Sequence, residues 1–146
     1  MSNDELKRLL ERVHDGITTF NYNGTNIPCI VFGEKKFDEI MRTVAGKPIS
    51  VDTNLNILQD GLGHVFVELT LTFSAGGINE KILLNASQSV EFFELLAKSS
   101  MLAISAPHSA VGKENVFMIQ LPRPEKAVNA LDIIKRGLET SDSNPK

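Results

Sequence analysis

The clearest alternation of apolar and polar residues in the chain lies between Ile49 and Leu84. Three runs follow one another there, and each repeats with a period of two, which is typical of strands with one buried face. Glycine-bearing turns separate the runs, so we predict a three-stranded antiparallel meander over residues 49–84. The positions that share a face are Ile49, Val51, Thr53, Leu55 and Ile57, then Val65, Val67, Leu69, Leu71 and Phe73, then Ile78, Ile82 and Leu84.

The parity of these positions also predicts how the strands of the meander pair. If the odd-numbered residues of the first two runs face one core, the loop between them has an odd length, and three residues are the simplest choice. That register places Ile57 opposite Val65. The second turn changes parity, so a four-residue loop is predicted, with Phe73 opposite Ile78. It also places Glu80 on the apolar face. We expect Glu80 to lie at the tip of its strand, beyond the helices that cover this face.

Helical and hairpin patterns flank the meander on both sides. Apolar residues at helical spacing predict four amphipathic helices, and two further hairpins precede and follow the meander. Asn85, followed by Gln88 three residues later, predicts a capping box at the start of the third helix. The predicted order is α-ββ-α-βββ-α-ββ-α, which indicates an α+β fold with a mostly antiparallel sheet. We expect residues 1–140 to form one domain and residues 141–146 to form a polar, flexible tail.

Composition narrows the class of protein further. With 146 residues and 42% apolar residues, the chain can bury a core of ordinary size. The formal net charge of −3 is unlike the basic charge of a typical nucleic-acid binder. Cys29 is the only cysteine, which excludes an intramolecular disulfide and a cysteine zinc cluster. The sequence has neither a spanning apolar run nor a signal peptide, so a cytoplasmic setting is expected.

One face of the predicted meander carries the residues that most resemble a binding site. His64, Phe66 and Glu68 share that face, and Asn54 lies on the neighbouring strand, opposite Glu68 in the predicted register. His64 and Glu68 are four residues apart on one strand, roughly 13 Å, which is too far for both to bind one metal ion. We therefore favour a solvated polar face, and we keep these four residues as candidate ligand-binding residues.

A second candidate is His108, which lies beside Ser109 in the loop between the last two predicted strands. Adjacent residues do not form a catalytic triad, because the members of a triad come from separate segments of the fold. No catalytic, metal-binding or nucleotide-binding motif has the required spacing, so no metal and no cofactor are expected. An enzyme with a site near His64 or His108 is kept as an alternative hypothesis.

Basic and aromatic residues leave a second alternative open. Lys35, Lys36, Arg42 and Lys47 follow Tyr22 closely in the sequence. A basic patch with stacking rings can bind single-stranded nucleic acid. The aromatic residues of this region fit core positions at least as well, and tryptophan is absent. A single-stranded nucleic-acid-binding protein is therefore a weaker hypothesis.

The last predicted helix suggests a partner surface. Val128 and Ile133 lie outside its apolar stripe, and extra apolar positions on a terminal helix often mark an interface. Our leading hypothesis from the sequence is a small, cytoplasmic, non-catalytic binding module that forms a homodimer and binds an unidentified ligand.

Overall fold

The computed structural model describes residues 3–44, 49–59, 63–74, 78–106 and 116–143. Its elements follow the predicted order, so the α+β prediction is confirmed. They are α1 (Asn3–Arg12), β1 (Ile17–Tyr22), β2 (Thr25–Val31), α2 (Glu34–Val44), β3 (Val51–Gln59), β4 (Val65–Phe73), β5 (Asn79–Asn85), α3 (Ala86–Ser99), β6 (Met101–Ser105), β7 (Val116–Gln120) and α4 (Glu125–Ser143). Helix α4 thus continues through residues 141–143 of the predicted tail, and the boundary of the single domain stays a prediction.

The strands form two sheets. The meander β3-β4-β5 is antiparallel throughout, whereas the other sheet has the order β1-β2-β6-β7. Its central pair, β2 and β6, is parallel, and the two hairpins on either side are antiparallel. Two isolated parallel bridges, Ser50 with Gln120 and Val13 with Leu83, link the sheets to each other and to the segment after α1. The predicted sheet is therefore divided, and a parallel pair joins its outer hairpins.

The register of the first meander turn differs from the prediction. Gln59 pairs with Val65 and Ile57 with Val67, so five residues separate the paired strand ends. The predicted parity is correct, but the predicted three-residue loop is wrong, and residues 60–62 at its centre lie outside the described part of the chain. Loops of three and five residues keep the same side chains on the same face, so alternation alone does not distinguish them.

The second turn and the start of α3 follow the sequence closely. The Phe73 amide donates a hydrogen bond of 2.9 Å to the Ile78 carbonyl, which confirms the predicted register. At the start of α3, the Asn85 side chain accepts a bond of 2.8 Å from the Gln88 amide. The Gln88 side chain accepts one of 3.1 Å from the Asn85 amide. Both bonds of the predicted capping box are therefore present.

The main core lies between the sheets and the helices. Its buried side chains come from α2, α3 and α4 and from both sheets. Leu69, Leu96 and Ile104 have no exposed side-chain surface, and they represent the meander, α3 and the four-stranded sheet in this cluster. Within the described residues, no helix is long and apolar enough to cross a bilayer.

Candidate functional site

The four residues predicted on the meander face lie in different environments. His64 and Asn54 are exposed, and Glu68 is half-buried. Only 3% of the surface of Phe66 is exposed to solvent. Its ring is therefore part of the interior and is not open to a ligand. In the observed register Asn56, not Asn54, lies opposite Glu68, which corrects the predicted pair.

A lysine from α4 binds the polar side chains at the start of β3. Lys126 Nζ donates hydrogen bonds to the two carboxylate oxygens of Asp52, at 2.9 and 3.1 Å. It donates a longer bond of 3.3 Å to Asn54 Oδ1. The predicted candidate Asn54 is therefore engaged in attaching α4 to the edge of the meander. This arrangement explains its polar neighbours without a ligand.

A charged pocket of about 190 Å³ lies beside β4 and β5, near the end of α1. Glu68 and His14 both line this pocket. The Nε2 atom of His14 lies 3.1 Å from the Val31 carbonyl oxygen. Among the described residues, Glu68 makes no ion pair with Arg12 or Lys81, which line the same pocket. The described residues also contain no cluster of three side chains suited to a metal ion. His108 lies outside the described residues.

Among the described basic residues of the nucleic-acid hypothesis, Lys36 is paired with two carboxylates. Lys36 Nζ lies 3.0 Å from Glu80 Oε1 and 3.4 Å from Glu39 Oε2. The hydrogen bond and charge of Glu80 are the main reasons that the pKa of Lys36 is raised. Glu80 is thus the partner of a helix lysine.

Strand β2 lies between Tyr22 and the basic residues of α2. Tyr22 lies at the tip of the β1–β2 hairpin, whereas α2 begins just after the opposite end of β2. Seven strand residues span roughly 20 Å, so the Tyr22 ring and the exposed Lys35 side chain lie far apart. The Arg42 Nε group donates to the Asp38 carbonyl at 3.4 Å. Lys47 lies outside the described residues.

Cys29 is part of a buried cluster on β2. Its Sγ donates to the Ser105 Oγ at 3.4 Å, and only 3% of its surface is exposed. Burial raises the pKa of the thiol, and the bond to Ser105 opposes that rise only partly. The thiolate, which is the reactive form, is therefore disfavoured at neutral pH.

We expect Cys29 in the folded protein to react at least about a hundredfold more slowly with a disulfide reagent than in the urea-unfolded chain. The reagent reaches the sulfur only after the strand opens, and the raised pKa lowers the thiolate fraction further. Absorbance of the released thiolate measures both rates. Because Cys29 is the only cysteine, the signal needs no correction. Equal rates in the two states would contradict the burial described here.

A second, smaller cluster of buried side chains lies on the four-stranded sheet. Ile27, Cys29 and Ala103 form its centre, with exposures of 1%, 3% and 0%. The side chains that pack around this centre all come from strands of the four-stranded sheet, and no residue of a described helix joins them. They are half-buried and consist of Phe20, Val31, Met101, Val116 and Met118.

The register of the four strands shows which residues share this side of the sheet. Paired residues project to the same face, so the pairs of Cys29 with Thr18 and Ala103, and of Ala103 with Met118, define it. We call this surface the outer face. None of its residues is an Asp, Glu, Lys or Arg; they are Thr18, Phe20, Tyr22, Thr25, Ile27, Cys29, Val31, Met101, Ala103, Ser105, Val116, Met118 and Gln120.

The sequence contains only part of the signal for the outer face. The continuous apolar run of β2 predicts burial on both sides, and that burial is observed. The parallel pairing of β2 with β6 brings Cys29 beside Ala103, although these residues are far apart in the chain. No local pattern predicts that pairing, so sequence reasoning missed the surface.

The fold is an α+β domain with one main core, to which both sheets and the helices contribute, and a second, smaller buried cluster on the other face of the four-stranded sheet. Comparison of the chain with protein-family models, curated proteins and solved structures finds no significant match to any of them.

Proposed function

We propose that this protein is a small, non-catalytic binding module that uses the outer face to bind an apolar segment of another protein. The single observation that carries the proposal is the lack of charge on the outer face, where partly exposed apolar side chains surround the buried Ile27, Cys29 and Ala103. Half-buried Met101, Met118 and Phe20 surround that centre, and Tyr22 is 44% exposed at its margin. Contiguous apolar surface of this kind favours an interaction site.

The other hypotheses receive less support. Nucleic acid requires several cationic contacts with phosphates, and the outer face has no cation. Enzymatic chemistry requires reactive groups that orient one another, whereas His14 in the lining of the charged pocket lies within hydrogen-bonding distance of the Val31 carbonyl. The homodimer stays a prediction. Val128 and Ile133 are 54% and 48% exposed, but they are five positions apart on α4, about 140° around the helix axis.

Binding of the apolar dye anilinonaphthalene sulfonate to the native protein tests the proposal. We expect dye fluorescence to rise with saturation, because the half-buried methionines leave apolar surface open to the dye. Replacing Met118 by Glu is expected to weaken dye binding by about tenfold, since the charge must stay hydrated. Asn56→Glu, on the meander, is the control and leaves binding unchanged.

The circular dichroism spectra of both variants establish that they are folded before the dye is added. Met118 lies on the outermost strand of its sheet, where a new carboxylate can reach water. A native protein that does not bind the dye, or a Met118→Glu variant that binds it as well as Asn56→Glu does, would refute the proposed binding function.

A further inference from the structure

We propose that β1 is a dimer interface, at which two copies of the chain pair their β1 strands antiparallel about a twofold axis at Thr19. This inference goes beyond the proposed function and does not depend on it, because it concerns the edge of the four-stranded sheet and not its outer face. Three observations carry it: the lack of protection along this edge, the direction of its backbone groups, and its lack of charge.

The sheet edges of the protein differ in how they are protected from further pairing. Natural proteins protect edges with charged residues, proline, bulges or covering segments. At β5 the His14 amide donates a bond of 2.7 Å to the Leu83 carbonyl, so the segment after α1 occupies part of that edge. Strand β3 carries Asp52, which pairs with Lys126 of α4. The last residue of β7 forms a parallel bridge with the segment before β3.

Strand β1 has none of these protections. Its six residues include no Asp, Glu, Lys, Arg or Pro, and they pair one to one with β2, without a bulge. Within the described part of the chain, no backbone hydrogen bond reaches the side of β1 that faces away from β2. Thr18 and Thr19 point to opposite faces of the sheet and are both exposed. Neither face therefore obstructs a strand that approaches this edge.

The hydrogen bonds to β2 show which backbone groups of β1 point away from it. In an antiparallel pair, residues that exchange backbone hydrogen bonds alternate with residues that do not. The Val31 amide donates to the Gly16 carbonyl at 2.7 Å, so the positions of β1 that bond to β2 are the even-numbered ones. The amides and carbonyls of Ile17, Thr19 and Asn21 therefore point outward along the edge.

A twofold axis at Thr19 matches all three of these outward residues. It places Thr19 opposite Thr19 of the second copy and Ile17 opposite Asn21, so the three pairs exchange about six backbone hydrogen bonds. The tip of the hairpin is already held in shape for this pairing. Asn21 Nδ2 donates to Asn26 Oδ1 at 3.2 Å, and Asn21 Oδ1 accepts a bond of 3.2 Å from the Gly24 amide.

A second copy fits this edge better than an unrelated extended segment does. Like charges directly opposite each other weaken a strand pair, and β1 has no charge that would repel its own copy. Strand β1 is already extended by its pairing with β2, whereas a free peptide loses conformational entropy when it becomes a strand. Twofold pairing also uses the same edge in both copies, which closes the assembly at two chains.

Charge substitutions at the proposed axis test the pairing. In sedimentation equilibrium we expect the mass to rise with concentration to twice the 16.0 kDa of one chain, with a dissociation constant of about 10–100 μM. Thr19→Lys and Thr19→Glu should each raise that constant by about tenfold or more, because two like charges then face each other across the axis. An equal mixture of the two variants should recover dimerisation, since Lys then faces Glu.

Two further variants separate the interface from general effects of substitution. Asn56 is exposed on β3, so Asn56→Lys is the matched control and should leave the dissociation constant unchanged. Thr19→Pro removes an amide that faces solvent in the single chain, where an edge strand tolerates proline. It should also weaken the dimer by about tenfold or more, since the lost amide belongs to both copies. Circular dichroism spectra establish that each variant is folded.

Several results would overturn the inference. These are a protein that stays monomeric up to about 500 μM, well above the expected dissociation constant, a Thr19→Lys variant that dimerises as tightly as Asn56→Lys does, and a mixture of Thr19→Lys with Thr19→Glu that associates no better than either variant alone. A mass above two chains would overturn it as well, because pairing of β1 with a different edge leaves open ends. A dimer that Val128→Glu disrupts and Thr19→Lys does not would identify α4 as the interface.

Discussion

Replacing Phe66 by alanine is expected to lower the free energy of unfolding by about 3–5 kcal/mol. Only 3% of the residue's surface is exposed, although Phe66 lies on the side of β4 opposite the main core. Truncation removes its buried apolar area and leaves a cavity that its neighbours fill incompletely. Urea denaturation followed by circular dichroism measures the loss.

The control for this substitution is Asn56→Ala, on the neighbouring strand and on the same side of the meander. Asn56 is exposed, so its replacement should change the free energy of unfolding by no more than about 0.5 kcal/mol. A solvated face, as the sequence suggested, would make the two substitutions nearly equal in cost. A loss below about 1 kcal/mol for Phe66→Ala would therefore contradict the burial of the ring.

Replacing Gly16 by alanine is expected to lower the free energy of unfolding by about 2–3 kcal/mol. A Cβ atom at this position would lie 2.6 Å from the Val31 carbonyl oxygen and 3.1 Å from His14 Nε2. The approach is close because the Val31 amide donates a hydrogen bond of 2.7 Å to the Gly16 carbonyl. The backbone of β2 must therefore move to admit the methyl group, and both the Gly16 and the His14 contacts with Val31 weaken.

Gly33 offers a matched control for the Gly16 substitution. A Cβ atom there would meet nothing within 4 Å, so Gly33→Ala carries no steric cost. Gly33 directly precedes α2, and alanine is a poorer residue than glycine at the start of a helix, so a loss below about 1 kcal/mol is expected. Equal losses at Gly16 and Gly33 in urea denaturation would show that steric exclusion at Val31 is unimportant.

The candidate site illustrates where sequence reasoning succeeded and where it ended. Phe66 and Glu68 lie on one face of β4, as predicted, because period-two alternation assigns side chains to a face. Alternation does not reveal what covers that face, so the sequence leaves open whether Phe66 is exposed or buried. Glu80 was placed correctly on the apolar side, but its contact with Lys36 depends on the packing of α2 over the meander.

The basic and aromatic residues show a second limit. Lys36 and Tyr22 lie close in sequence, but a hairpin strand carries the chain away from the tip before α2 begins. Lys36 and Tyr22 are therefore close in the sequence but lie at opposite ends of β2. Conversely, Cys29 and Ala103 are remote in the chain and adjacent in the sheet.

By itself, the sequence determined the number, type and order of the elements, the buried parity of the meander strands, and the capping box of α3. These features depend on local periodicity and on hydrogen bonds between residues close in the chain. Only the tertiary structure decided the five-residue loop, the parallel pairing of β2 with β6, and the outer face that results from it. Pairing between distant strands depends on how whole elements pack together, and several pairings satisfy the same local pattern of apolar residues.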